Sequence, residues 1–446
     1  MDSSLDLHRF QFAFTVAYHY LFPQLTMGLA LLIFLLKTMA VRGQGTAAGE
    51  TANAAVRFWL KIFGVSFVMG VITGIPLEFQ FGTNWSRFSE MSGGVIGQTL
   101  AMEGVFAFFL ESSFLYILLF GEQRFGQRVH WLASLLLLIG TWLSGYFIVC
   151  TNAWMQHPVG YTVGDNGMLQ LKSLEALLTN PWAFAEYAHT MVGATITGAF
   201  AMTSIGAFYL LQGRSEAVAR RFVTVAVVVG LVASIAAAVP TGDIQAKMVY
   251  EHQPPTFAAM EGHFHTTERA GLMILGQPDM ESLELDNPIE IPGVLSFLTH
   301  GRWAKEVRGL SDFPRDEWPD NVPLLYYSYH IMAGLGTLFI LVMALSFVQL
   351  VRGKLWQSRG LLWVLMLSLP FPFIANTAGW MTTELGRQPW LIYGVFRTAE
   401  GYSQQVTPGN VWFTLLGFMG MYALLSVLYF FVTTRIIVAG PEGEKE

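Results

Sequence analysis

Charge is scarce in this chain. Of its 446 residues 13% are Asp, Glu, Lys or Arg against 53% hydrophobic, and the mean hydropathy is +0.47. Soluble domains carry about 25% charged residues, so this density cannot cover a water-exposed surface of that size. Cysteine is nearly absent as well. Cys150 stands alone, which excludes a disulfide framework and a thiolate metal cluster within the chain. No basic patch is available to neutralise phosphates, so nucleic acid is excluded as a partner. The charge that is there lies unevenly: residues 240–322 hold fourteen of the thirty-one acids and six of the twenty-five bases. The chain is a near-neutral apolar body interrupted by one acidic insert.

Crossing about 30 Å of hydrocarbon takes about 20 apolar residues. Such runs lie near 11–36, 58–78, 98–120, 131–153, 187–212, 221–240, 323–351, 360–380 and 410–437. The expected fold is an all-α integral membrane protein of nine transmembrane helices arranged in helical bundles, with the lipid bilayer as its surroundings. Residues 1–239 would hold helices 1–6, 240–322 the loop, and 323–446 helices 7–9 and a tail. The first run is too long for a signal peptide and has no small-residue cleavage site, so it reads as a retained helix. Orientation follows from the bases beside the spans. Lys37, Arg42, Arg57, Lys61, Arg124, Arg128, Arg214, Arg220, Arg221, Arg352, Lys354, Arg359, Arg435 and Lys445 fall on one side; Arg9, Arg87, Lys172, Arg387 and Arg397 fall on the other. The N-terminus is therefore expected outside and the C-terminus in the cytoplasm. The acidic insert would lie outside as a surface loop with short helices, too polar to enter lipid.

Ionisable residues inside spans are costly and functional by default. His19 lies in the first span, Glu103 and Glu111 in the third, His189 opens the fifth, His330 and Met332 open the seventh, and Glu384 follows the eighth. With odd-numbered spans running inward, His19, Glu103, His189, Met332 and Glu384 share the outer part of the membrane. Glu111 sits eight residues after Glu103, a rise of about 12 Å and a net rotation of about 80°, so it faces a similar interior at greater depth. Each has an ordinary reading. A histidine at a helix start is commonly interfacial, most of the twenty methionines simply pack, and Glu384 has Arg387 three residues on as a natural ion partner. The carboxylates of Glu103 and Glu111 are harder to dismiss, because in mid-span they must pair, protonate or meet water. Histidine, methionine and buried carboxylates with almost no cysteine suit haem iron better than iron–sulfur clusters or structural zinc.

Five stretches occur in order: Gln11–Phe12–Ala13 through Tyr18–His19; Glu78–Phe79–Gln80–Phe81–Gly82–Thr83–Asn84–Trp85; Glu103–Gly104 with Phe109–Leu110–Glu111–Ser112; Trp154–Met155–Gln156–His157–Pro158–Val159–Gly160; and Gly386–Arg387–Gln388–Pro389–Trp390. This series resembles subunit I of cytochrome bd-type quinol oxidases, of the short quinol-loop type, over nearly the full length. The resemblance implies that His189 and Met332 are axial ligands of a low-spin haem b. It implies that His19 and Glu384 serve a high-spin haem b and a haem d, or a third haem b. Members of the family exchange those two haems, so neither residue is assigned to one. Glu103 would stand beside that pair, Glu111 on the proton path, and Arg387 against haem propionates or Glu384. The implied activity is oxidation of a membrane quinol, ubiquinol or menaquinol, at the outer face. O2 would be reduced to water with cytoplasmic protons, separating charge without a pump. A bacterial cytoplasmic (inner) membrane, a second subunit and a small single-span one complete the expectation.

Two positions depart from the family pattern. Gln253–Pro254–Pro255–Thr256–Phe257–Ala258–Ala259–Met260–Glu261–Gly262 resembles the quinol-loop motif and keeps Glu261 as an acceptor for a quinol proton, but Thr256 replaces the family's lysine. Lys247, His252 and His263 are the cationic substitutes within the insert. His330 stands where many relatives carry arginine, and a neutral imidazole would support a propionate less firmly. Two other readings stay open on the residues: a bd-like quinol oxidoreductase with a different acceptor, and a proton-coupled transporter using Glu103 and Glu111 as carriers.

Overall fold

The computed structural model describes residues 3–441; Lys445, counted above for orientation, lies outside them. Helices dominate. Those of seven residues or more are, in chain order, α1 Ser3–Arg42, α2 Ala47–Thr83, α3 Ser86–Phe120, α4 Glu122–Gln156, α5 Pro181–Gln212, α6 Glu216–His252, α7 Pro254–Glu261, α8 Val294–His300, α9 Val322–Val351, α10 Arg359–Leu367, α11 Phe371–Arg387 and α12 Pro408–Ala439. Eight are long and apolar enough to cross a membrane, and α10 with α11 supplies a ninth span bent by 41°. The nine apolar runs therefore become nine helical spans among the described residues.

The eighth span differs from its expected course. It breaks at Ser368–Pro370, where proline has no N–H to donate. It also continues to Arg387, so Glu384 lies within the helix and does not follow it. Polar residues made the run look finished, yet Thr382 bonds Ala378 O on its own helix at 2.9 Å, and Asn376 bonds Pro372 O at 3.0 Å and Thr197 Oγ1 of α5 at 2.9 Å.

The main core lies between α1, α2, α5 and α6, where Leu29, Ile33, Trp59, Phe63, Phe200, Phe222 and Val227 are fully or almost fully buried. Close approach of α1 and α5 needs Gly28 and Gly198: a Cβ on Gly28 would lie 2.0 Å from Ala194 O, and one on Gly198 2.7 Å from the Gly28 carbonyl carbon. At the end of the bundle away from the insert, the fully buried Lys37 donates to Asn53 Oδ1 at 2.9 Å and Gln127 Oε1 at 2.6 Å. Its ammonium also pairs with Glu122 at 3.5 Å, and Arg57 joins the same carboxylate at 3.3 Å. This network ties α1, α2 and α4 together.

The insert is more than a polar surface loop. Phe257, Met260, Phe264, Leu295, Val307, Leu310 and Trp318 form its own apolar core, which packs on Leu325 of α9. A hairpin of β1 Leu272–Asp279 and β2 Glu284–Ile291 projects from it, pairing Leu272 with Ile291 and Asp279 with Glu284.

Candidate functional site

Two of the helices carry a π-helical turn, Glu103–Ala107 in α3 and Ala237–Gly242 in α6. Such turns widen a helix locally and often occur at functional positions. Here the first begins at Glu103 and the second contains Thr241, which faces His189.

The two candidate ligand histidines, His189 and His19, are held by one device. His189 Nδ1 lies 3.2 Å from Thr241 Oγ1, and His19 Nδ1 lies 3.0 Å from Thr73 Oγ1. Each threonine spends its only proton on a helix carbonyl, Thr241 on Ala236 O at 2.8 Å and Thr73 on Met69 O at 2.7 Å. Each hydroxyl can then only accept from its histidine, so Nδ1 carries the hydrogen and Nε2 keeps a free lone pair. That is the tautomer a metal-ligating imidazole adopts.

His189 and Met332 line one cavity of about 390 Å3 together with Glu261, Glu186, Gln156, Gln253 and Thr256. Small residues make room beside each candidate ligand. A Cβ on Gly379 would sit 2.9 Å from Met332 Sδ, one on Gly242 3.6 Å from His189 Cε1, and one on Gly74 3.1 Å from His19 Cε1. Arg387 is buried and bonds Glu384 Oε2 through Nη2 at 2.5 Å, leaving Nε and Nη1 without partners. Buried guanidinium donors left over in this way suit an anionic group such as a propionate. Free Nε2 atoms, a thioether facing the same cavity as a histidine, glycine clearances and orphan cationic donors all fit haem.

The carboxylates are arranged along α4. Thr141 Oγ1 donates to Glu111 at 2.9 Å, Ser144 Oγ to Glu103 at 2.8 Å, and Asn152 Nδ2 to Glu384 at 2.6 Å. Partners of Glu103 and Glu111 are only three residues apart on α4, about 4.5 Å of rise, less than the sequence spacing of the two glutamates suggests. Glu384 is reached eight residues further on, about 12 Å from the partner of Glu103. One cavity does not gather the whole set of candidate residues. His189, Met332 and Glu261 share the cavity, whereas His19, Glu103, Glu111, Glu384 and Arg387 do not line it. Tyr20, beside His19, meets the cavity-lining Trp380 edge-on at 5.7 Å and connects the two regions.

Glu261 is 2% exposed with Oε2 unbonded. Burial pushes its carboxyl up to about 7, the Tyr329 hydroxyl opposing in part. Thr256 donates to Gly386 O at 2.6 Å and packs on that glycine, so it pins α7 to the residue before Arg387. Of the three substitutes for the missing lysine, Lys247 lines the cavity, paired with Asp243 at 2.7 Å. His263 instead contacts Val307 O, and His252 stacks beside His157 with ring centroids 4.3 Å apart. The ring nitrogens of His330 contact Tyr326 O at 2.9 Å and Met273 O at 3.0 Å.

Sequence reasoning missed Glu186. It is 4% exposed, neither oxygen makes a hydrogen bond, and it lines the cavity one turn before His189. The signal was present, an acid in a helix, but the fifth span was drawn from residue 187 while α5 begins at Pro181.

The family model for cytochrome bd terminal oxidase subunit I matches residues 7–441. The chain belongs to that family. It is similar to cytochrome bd ubiquinol oxidase subunit 1 of Bacillus subtilis, 34% identical over 99% of this chain and 95% of the relative. It is also similar to cytochrome bd-II ubiquinol oxidase subunit 1 of Escherichia coli, 32% identical over 98% and 97%. Among solved structures, the bd oxidase of Geobacillus thermodenitrificans superposes with a TM-score of 0.91 at 30% identity, covering 98% of this chain and 99% of that one. This bd subunit I is a multi-pass protein of the bacterial inner membrane and part of a quinol:oxygen oxidoreductase. Family membership brings haem cofactors, quinol, O2 and a second subunit with it, and it sets the transporter reading aside.

Proposed function

We propose that this subunit oxidises quinol at the cavity bearing Glu261 and delivers protons to an O2-reducing centre beside Glu103 and Glu384. The observation that carries the reading is the shared cavity: His189, Met332 and Glu261 open onto one space, with Thr241 fixing the ligating tautomer. Bound haem would supply the one-electron chemistry and the reduction of O2. Its holders are His189 and Met332 for a low-spin haem b, and His19 and Glu384 for the high-spin haem b and haem d, or a third haem b. The N-terminus and the insert, residues 240–322, lie outside, and the C-terminus lies in the cytoplasm. Residues 1–239 and 323–446 form the membrane body.

At the cavity, Glu261 accepts a proton from ubiquinol or menaquinol and passes it to the outer side. A carboxyl titrating near 7 suits that task at neutral pH. Arg387 holds propionate with its free Nε and Nη1 and positions Glu384 through Nη2. On the consuming side, Glu111 takes protons from the cytoplasm and hands them toward Glu103. The polar stripe of α4 supports this direction: Thr141 and Ser144 bond the two carboxylates, and Ser134, His130 and Glu122 continue toward the opposite end. Protons released outside and taken up inside separate charge without a pump. Subunit II, and a small single-span subunit, complete the assembly.

Reduced-minus-oxidised spectra of the purified complex test the assignment. His189→Ala and Met332→Leu should each remove the low-spin b band while the other haem bands persist. Retention of that band in either variant would overturn the ligand pair.

A further inference from the structure

The insert's hairpin changes character along its length. Asp279, Glu281, Glu284 and Asp286 crowd its tip. At its base Ile274, Leu275, Ile289 and Ile291 are 43–59% exposed. Glu290, between the two isoleucines, turns the other way and lies over Gly271. Helix α8 follows directly and adds exposed Phe297, with Trp303 stacked on it at 4.6 Å. Arg302 and Lys305 flank that tryptophan in the open.

The depth of this apolar base is set by a hydrogen bond. Met273 O meets His330 Nε2 at 3.0 Å, so the base of β1 lies level with residue 330 of α9. Counting the roughly 20 residues that span hydrocarbon back from Arg352, at the other end of α9, reaches the same level. The base of the hairpin therefore stands at the hydrocarbon edge, beside Tyr327 and Ile331, which are exposed on the same helix. Aromatic rings with cationic neighbours are what the interfacial zone of a bilayer selects. The opposite side of α8 faces inward, with Leu295, Leu298 and Thr299 lining the cavity.

We infer that the hairpin base, α8 and Trp303 are seated in the bilayer leaflet on the insert's side, and that α8 is the partition over which a quinol's polyprenyl tail passes into the cavity. The second half rests on the reading of the cavity as the quinol site. The sequence-based expectation that the insert stays out of lipid then holds for its tip and fails for its base.

Single cysteines placed at Phe297, Trp303 and Glu281 in the whole oxidase, reconstituted in phosphatidylglycerol-containing nanodiscs, test the seat. Cys150 is fully buried and stays unlabelled. A fluorophore at 297 or 303 should be quenched several-fold more by a lipid-borne nitroxide than one at 281, and less by an aqueous quencher. Labels at 297 and 303 as water-accessible as 281 would overturn the seat, as would labels shielded from both quenchers, the result expected if another subunit covers this face. For the passage, Phe297→Ser and Trp303→Ser should raise KM several-fold for a long-tailed quinol and leave it unchanged for a tailless one. An equal response of the two quinols would overturn the passage. Normal turnover of both quinols in a Glu261→Gln variant would instead remove the quinol-site reading, with the labelling result unaffected.

Discussion

Replacing Glu261 by glutamine tests the quinol cavity through proton linkage. The wild-type carboxyl is raised from 4.5 to about 7, chiefly by burial. At about 1.4 kcal/mol per pH unit, this is a cost of about 3 kcal/mol to hold the group ionised in the folded chain. The folded state prefers the neutral acid. The cost is therefore absent below pH 4.5, grows between 4.5 and 7, and is complete above 7. Glutamine fills the same space without charge. Glu261→Gln should match wild type in thermal stability at pH 4 and exceed it by about 3 kcal/mol at pH 8. Activity should move in the opposite sense. Only the ionised carboxylate accepts a proton, and its population rises from about a tenth at pH 6 to about nine-tenths at pH 8. Quinol oxidation limited by this step should climb about ninefold over that interval, and the glutamine variant should be slow and flat, with haem spectra intact. Steady-state quinol oxidation across pH 5.5–8.5, as about ten points per variant, measures it. A flat wild-type profile, or the same rise in the variant, would refute a proton-accepting Glu261.

Thr241→Val keeps the shape of the side chain but removes the acceptor for His189 Nδ1, and outer-shell losses of this type cost about 10–100-fold in metal affinity. Haem content should fall and the midpoint potential of the low-spin band should rise, because the imidazole donates less to iron once its N–H loses that acceptor; unchanged values would mean the hydroxyl does not orient the imidazole. Glu111→Gln should slow O2 uptake about a hundredfold or more without removing a haem band, and near-normal uptake would exclude Glu111 from the proton route. Lys37→Met leaves Asn53 Oδ1 and Gln127 Oε1 without their buried donor and Glu122 with Arg57 as its remaining cation, and should destabilise by about 1–3 kcal/mol. Adding Glu122→Gln should recover part of that loss in thermal unfolding, and no recovery would contradict an ion-pair origin.

Much of the fold was legible because each span is a long apolar run, and hydrocarbon thickness sets the length of such runs. What escaped were features that depend on which helix face meets which. Thr73 and Thr241 look like any threonine in an apolar helix, and their role appears only when α2 and α6 are packed against the two histidines. The partners of the carboxylates were equally silent, since serine, threonine and asparagine on α4 carry no motif. Glu384 was displaced from its helix because Asn376, Thr382 and Thr383 imitate the end of a span. In the insert, dense charge masked a short apolar run and scattered single apolar residues that together build a core of its own. The ligand candidates were within reach for a different reason: ionisable groups are so few in the spans that almost each one had to be explained.

Three carboxylates depend on a single strip of α4, and that strip obeys a fixed phase. Thr141 and Asn152 are eleven residues apart, three turns and about 20°, so they point nearly the same way. One residue inserted between them would swing Asn152 by about 100° and cut Glu384 off while leaving Glu111 served. This stretch can therefore drift freely in side-chain identity at its lipid-facing positions yet has no freedom in length. Across an evolving lineage it should behave as a ruler, accumulating substitutions but no insertions or deletions.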